Sequence, residues 1–339
     1  MRIVALEEHF SIPSLAAKVS GTALLSRGAL PLDRAARTMV EGSKYLADLG
    51  SGRLADMDAA GITLQVLSWS GAGSDILPPK EAVSWTRCVN DGLAGLIAER
   101  PERYAGFAHL PVSEPQAAAD ELERCIRDLK FVGAMINGTT EGKFLDHPEF
   151  EPLLSRAESL DVPIYIHPNL PPETVYKAYF DGLPPQLGFC LSAYGFGWHA
   201  ETAIHLLRLV FSGALERHRD LKLIIGHMGE FLPMTLARTE AMCSDEILST
   251  MSRTLTQQLR DQVYVTTSGQ FTLPPFRLLL ETWGIDRILF SVDYPYNANR
   301  DGRALLDSIP LDQTDIEKIA HRNADRLLKL RTLKNSVEK

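Results

Sequence analysis

The 339-residue sequence predicts a single α/β domain, residues 1–339, of the (β/α)8 TIM-barrel class, with long βα-loop insertions and a C-terminal helix. Three observations lead there. Eight short β-rich runs alternate with amphipathic helical stretches within one domain-sized length. Several of the runs are apolar on both faces, as parallel strands covered by helices are. The first run is followed by Glu7-Glu8-His9-Phe10, where a doubly wound sheet usually carries a Gly-rich turn.

Taken in order, the runs are 2–6, 62–69, 104–109, 131–136, 163–167, 221–227, 262–268 and 287–293. Helical patterns fall at 80–100, 115–129, 147–160, 201–218 and 273–283, and 313–330 reads as a closing helix before a charged tail, 331–339. Two excursions exceed what a barrel needs. Residues 11–50 carry helical segments with Pro/Gly punctuation, and 168–200 hold Tyr176, Tyr179, Phe180, Phe189, Tyr194, Phe196 and Trp198 among five prolines. Aromatic-rich loops at the C-terminal face of a barrel build lids and subunit contacts.

Composition removes several function classes. Apolar residues make up 45% and charged residues 23%, so the chain can bury a large core and is not disordered. The formal charge of −8, with no basic stripe, argues against nucleic acid as a partner. No run approaches the roughly 18 apolar residues of a membrane span. Two acids and a histidine stand where a signal peptide would need an apolar centre, and Cys88, Cys125, Cys190 and Cys243 form no C-x-x-C pair. The expectation is a cytoplasmic protein with free thiols.

In a barrel, chemistry collects at the C-terminal strand ends. Here they carry Glu7 and His9, His167, His227 and Asp293. Glu7 and His9, two apart on a strand, share a face, with Glu8 turned outward. Convergence of His167 and Asp293 would complete a set of two carboxylates and two neutral imidazoles, which balances one divalent cation. Mixed oxygen and nitrogen donors suit Zn²⁺ or Mn²⁺ better than Mg²⁺ or Ca²⁺. His227, followed three residues later by Glu230, can form an acid/base pair beside Asp293. Arg53 and Arg238 are candidate anion anchors. His109 could line the pocket or be structural, and His147, His199, His205, His218 and His321 read as structural.

The motifs Ala5-Leu6-Glu7-Glu8-His9-Phe10, Tyr165-Ile166-His167-Pro168, Gly226-His227-Met228-Gly229-Glu230 and Phe290-Ser291-Val292-Asp293-Tyr294-Pro295 occur in that order. Together they resemble the non-oxidative aromatic decarboxylases of the amidohydrolase superfamily, in the aminocarboxymuconate-semialdehyde decarboxylase-like branch. Glu-x-His in place of His-x-His is similar to the subgroup acting on γ-resorcylate, 2,3-dihydroxybenzoate and 5-carboxyvanillate. The resemblance implies Glu7, His9, His167 and Asp293 as ligands of one metal ion. It implies His227 and Glu230 as partners of Asp293, Arg53 as a cation facing a substrate carboxylate, Arg238 as a structural or substrate-facing cation near the mouth, and a homodimer or homotetramer. Tyr296 stands where γ-resorcylate decarboxylases often carry Phe, and 137–145 is short, as in the carboxyvanillate type. The implied substrate is a small aromatic carboxylate with an ortho hydroxyl. The implied reaction protonates the carboxyl-bearing ring carbon from Asp293 and releases CO2. Hydrolysis of an amide or lactone by metal-activated water uses the same residue types and is the alternative; a metal-free ligand-binding barrel is the third reading.

Overall fold

The computed structural model describes residues 1–19, 44–71 and 73–330. Part of the 11–50 excursion and the 331–339 tail therefore lie outside the described residues. Eight parallel strands are present: β1 Val4–Phe10, β2 Leu64–Trp69, β3 Tyr104–Gly106, β4 Ala134–Asn137, β5 Ile164–His167, β6 Leu223–Ile225, β7 Val263–Thr266 and β8 Ile288–Leu289. Every predicted run overlaps one, although β1 continues to Phe10, past the predicted 6, and β4 to Asn137, past the predicted 136. The architecture is the expected (β/α)8 barrel, with the ladders in two sheets, β1-β2-β3 and β4-β5-β6-β7-β8.

The two seams between those sheets are made differently. Between β3 and β4 the backbone does it: Ala108 and Ala134 form an isolated bridge, and Met135 N donates to Ala108 O at 3.0 Å. Between β8 and β1 side chains take over. Glu8 accepts from the backbone N–H groups of Val292 at 2.9 Å and Tyr294 at 3.1 Å, and Ser291 Oγ accepts from Glu7 N at 2.7 Å. One backbone bond, His9 N to Tyr294 O at 2.7 Å, completes the seam. Ladder pairing in β8 stops at Leu289, short of the predicted 293, where these side-chain bonds begin.

Alternation along the strands separates two cores. Val4, Leu6, Leu64, Val66, Phe107, Met135, Tyr165, Ile224, Tyr264 and Leu289, at least one from each strand or its end, fill the barrel interior. The opposite faces pack against helices such as Pro79–Glu99, Pro115–Arg127 and Leu273–Trp283. The predicted closing helix is three pieces, Gln313–Glu317, a π turn Lys318–Arg322, and Asn323–Leu327. Ala324, Leu327 and Leu328 join the interior cluster. Arg2, just before β1, pairs with Asp325 at 3.0 Å, so this segment plugs the N-terminal end and leaves the other end for the site. The 201–218 pattern begins earlier than expected, as Gly197–Phe211, and breaks at Gly213, which adopts φ +75° before a short helix Ala214–Arg217. The 168–200 excursion contains two helices, Glu173–Phe180 and Pro185–Ser192. All four cysteines are free.

One irregularity decides which residues reach the site. Val4 and Leu6 face inward, so strict alternation would send Glu8 in and Glu7 out. The register with β2 slips between Ala5 and Glu8: Ala5 pairs with Gln65, but Glu8 pairs with Leu67. That bulge inserts one extra residue and reverses the phase. Glu7 and His9 then point into the barrel, and Glu8 points to the seam.

Candidate metal centre and active site

Glu7, His9, His167 and Asp293 come together as the sequence predicts. One donor atom from each lies within 4.8 Å of all the others. His9 Nε2 is 3.2 Å from Asp293 Oδ1, and His167 Nε2 is 3.3 Å from Glu7 Oε1. Yet Glu7 Oε1 and His9 Nε2 are buried without a hydrogen bond. Buried polar atoms in folded proteins are nearly always satisfied, so two orphans facing one point mark a missing partner. Both orphaned atoms present lone pairs to that point, and a divalent cation fits the demand.

The far side of each donor is held in place. His167 donates from Nδ1 to Pro168 O at 2.7 Å, leaving Nε2 as the lone pair facing the cluster. Burial, reinforced by neighbouring His9, pulls its pKa down to about 3, which keeps the ring neutral, as ligation requires. His9 Nδ1 meets Ser68 Oγ at 3.1 Å. Glu7 Oε2 accepts from the Tyr165 hydroxyl and from Thr266 Oγ1. Asp293 Oδ2 accepts from Asn297 Nδ2 at 3.0 Å. Gly226 is required here, because a Cβ would stand 2.7 Å from Glu7 Oε2 and 2.9 Å from Ser268 Oγ.

A second cluster adjoins the first. Glu230 Oε1 lies 2.7 Å from His227 Nδ1, and Oε2 lies 2.5 Å from His199 Nδ1. Burial opposes charge on both partners, but the Glu230 and Glu7 carboxylates raise the His227 pKa, and the imidazoles lower that of Glu230. The pair is a buried imidazolium and carboxylate. His227, Met228, Glu230, Phe231 and Asp293 all adopt left-handed backbone angles, φ +48° to +72°. Such strained positions cluster at functional sites.

The other sequence candidates fall elsewhere. Arg53 is 0% exposed and sits behind β1, not at the mouth. Its guanidinium donates to His9 O at 2.6 Å, Asp48 O at 3.0 Å and Gln65 Oε1 at 3.3 Å, and lies 4.7 Å over the Tyr294 ring. It therefore braces β1, and the expected substrate carboxylate contact is corrected to that role. Arg238 is exposed on the helix Leu232–Met242 and is not among the gathered residues. Tyr296 is at the mouth: its ring lies 5.6 Å from that of His9, and its hydroxyl meets Ser70 Oγ at 2.5 Å. His109 is structural, with Nε2 accepting from Ser74 N at 3.2 Å beside Trp85. Glu8 does turn away from the interior, but into the buried seam, and burial pushes its pKa up to about 8. His199, read as structural, belongs to the second cluster. The signal was its place in the first turn of Gly197–Phe211, the helix that follows the insertion after β5 and so begins near the C-terminal face.

A family model described as amidohydrolase matches residues 47–330. The chain belongs to the amidohydrolase family. Among relatives of this amidohydrolase, the γ-resorcylate decarboxylase of Rhizobium sp. is 36% identical over 337 residues, covering 96% of this chain and 98% of that protein. The decarboxylase orsB of Emericella nidulans is 35% identical over 335 residues, 97% of each. A dihydroxybenzoic acid decarboxylase of Polaromonas sp., solved with manganese and the inhibitor 2-nitroresorcinol, matches with a TM-score of 0.87 and 31% identity. That match covers 97% of this chain and 98% of the other. The branch expected from the motifs is thus the right one. Among the described residues, no helix is long and apolar enough to cross a membrane.

Proposed function

We propose that this amidohydrolase is a carboxy-lyase, dependent on one divalent metal ion, that removes CO2 from an ortho-hydroxybenzoate. The observation that carries the reading is the convergence of Glu7, His9, His167 and Asp293 on one point with Glu7 Oε1 and His9 Nε2 unsatisfied. These four side chains would hold the ion, with Mn²⁺ favoured by the manganese bound in the Polaromonas relative and Zn²⁺ also compatible with the donors. When bound there, the ion supplies positive charge for the phenolate and carboxylate oxygens of the substrate and orients the ring.

The chain's own residues do the rest. The carboxyl of Asp293 gives its proton to the ring carbon that bears the carboxylate, and the phenolate oxygen feeds the electron pair that forms the new C–H bond. The ring becomes a dienone. The C–C bond to the carboxylate then breaks, CO2 leaves, and its electron pair restores the aromatic ring. Asp293 is left ionised and must regain a proton in each turnover. His227, held cationic by Glu230, stands close enough to act on its charge, and His199 fixes the other Glu230 oxygen. Tyr296 covers the ring at the mouth.

The same reading places the protein in the cytoplasm as a homodimer or homotetramer, without nucleic acid or membrane partners. Exposed Tyr179, Leu187, Tyr194 and Phe196 in the 168–200 excursion support it as the subunit boundary. The test is incubation of Mn²⁺-loaded protein with salicylate, 2,3- and 2,6-dihydroxybenzoate and 5-carboxyvanillate. CO2 release that stops on chelation and returns with Mn²⁺ is the expected result. No release from any of them, with turnover of amides or lactones instead, would overturn it.

A further inference from the structure

Asn137 ends β4 in direct register with His167 on β5. Met135, two residues earlier, belongs to the barrel interior, so the Asn137 side chain faces inward beside His167. Its backbone is pinned: Gly138 N donates to His167 O at 2.9 Å, and Asn169 Nδ2 donates to Asn137 O at 3.2 Å. Gly138 takes φ +60°, and a Cβ there would meet Asn169 Cβ at 2.6 Å. Asn137 Nδ2 faces Gly71 O at 3.5 Å. A carbonyl only accepts, so the amide nitrogen is the atom on that side, and Oδ1 is left over. Oδ1 is buried and has no hydrogen-bond partner among the described residues.

This orphan differs in kind from Glu7 Oε1 and His9 Nε2. Those sit at the four-donor cluster, where a cation answers them. Asn137 instead offers a neutral amide oxygen, which calls for an N–H or O–H donor. On a hydroxybenzoate, the carboxylate and ionised ortho oxygen cannot donate. A further ring hydroxyl can. We propose that Asn137 is a specificity-determining residue whose Oδ1 accepts a hydrogen bond from a second ring hydroxyl, which makes the substrate class dihydroxybenzoates rather than salicylate. Trp198 adds an opposite demand nearby: its indole Nε1–H is buried and unpartnered, with the ring 6.3 Å from His167. A polar ring carrying both donor and acceptor groups answers both.

The proposal rests on the decarboxylase reading, so the experiment separates the two. Wild type, Asn137→Ala and Asn137→Asp, each loaded with Mn²⁺, are assayed on salicylate and on 2,3-, 2,4-, 2,5- and 2,6-dihydroxybenzoate. Binding of phenol, catechol, resorcinol and hydroquinone is measured in parallel by calorimetry. Wild type should prefer one dihydroxybenzoate over salicylate. Asn137→Ala should cut kcat/KM for that substrate about 10- to 100-fold while leaving salicylate within about 3-fold. Asn137→Asp, which keeps the acceptor, should keep the preference. The matching dihydroxybenzene should bind wild type more tightly than phenol does, and Asn137→Ala should erase the difference. Equal losses for mono- and dihydroxy ligands, or no wild-type preference, would overturn the assignment. Absence of CO2 release with the binding difference intact overturns the decarboxylase reading instead.

Discussion

Two histidine–carboxylate clusters lie side by side at the C-terminal face of this barrel, and they differ in what their atoms have left to give. Glu7, His9, His167 and Asp293 face one another with a carboxylate oxygen and an imidazole nitrogen unspent. In the second cluster, both Glu230 oxygens are spent on His227 and His199, at 2.7 and 2.5 Å. Both clusters are compact enough to hold an ion and both are buried, the Asp293 end of the first excepted. Ligating capacity is therefore read from the unsatisfied lone pairs, not from residue types. The first cluster is built to bind a cation; the second carries its own cation in His227.

The difference can be broken or sharpened by substitution, with the largest effect at the first cluster. His167→Ala removes a donor whose Nε2 faces Glu7, and turnover should fall by about 10⁴ or more, since the bound ion is needed at every step. Loss below tenfold would put the reaction elsewhere. Asp293→Asn keeps an oxygen donor but no transferable proton. It should retain Mn²⁺ while kcat drops about 10³-fold, within the range for general acids, and retained turnover would remove Asp293 as the proton source. Glu230→Gln strips His227 of its counter-charge. Here kcat should fall about 10²-fold with Mn²⁺ affinity held within about tenfold. An affinity loss equal to that of His167→Ala would merge the two clusters into one.

The smallest effect contrasts His227 with an imidazole held neutral outside both clusters. Burial pulls the His205 pKa down to about 3, and its Nε2 accepts from Leu145 N at 3.0 Å. Folding lowers this pKa below that of the unfolded chain, about 6.5, so the folded form binds fewer protons in between. The contribution is complete above about pH 6.5 and is lost as pH falls toward 3, at about 1.4 kcal/mol per pH unit. Urea midpoints between pH 6.5 and 4.5 should show a shallower slope in His205→Gln; an unchanged slope would mean that His205 is already protonated when folded.

Much of this was legible in the sequence because strand ends announce themselves. The eight apolar runs gave the barrel, and the residues that close them gave the ligand set. What stayed hidden depended on contacts between distant segments. The bulge between Ala5 and Glu8 is a register relation with β2, invisible in β1 alone, although Leu6 beside Glu7 already breaks strict alternation. Glu8 could be read as turned away from the interior, but not as the clamp on Val292 and Tyr294, because that seam joins residues from opposite ends of the chain. Arg53 reads as an anion anchor because it matches an arginine that faces a substrate carboxylate in some members of the branch it resembles. Its burial against the His9 carbonyl follows from how the helix Ser51–Ala60 packs. His199 and Asn137 carry no motif: His199 has only its place at the start of the helix after the β5 insertion, and the shared Glu230 oxygen and the unsatisfied Asn137 Oδ1 reveal their roles.

The account turns on one ion per chain, held by the first cluster alone. Titration of metal-free protein with Mn²⁺, followed by calorimetry and by the loss of the free-ion electron paramagnetic resonance signal, counts that ion directly. Wild type and Glu230→Gln should each bind one Mn²⁺ per chain, and Glu7→Ala should bind none at the same concentration. Full binding by Glu7→Ala, or loss of the ion in Glu230→Gln alone, would contradict it.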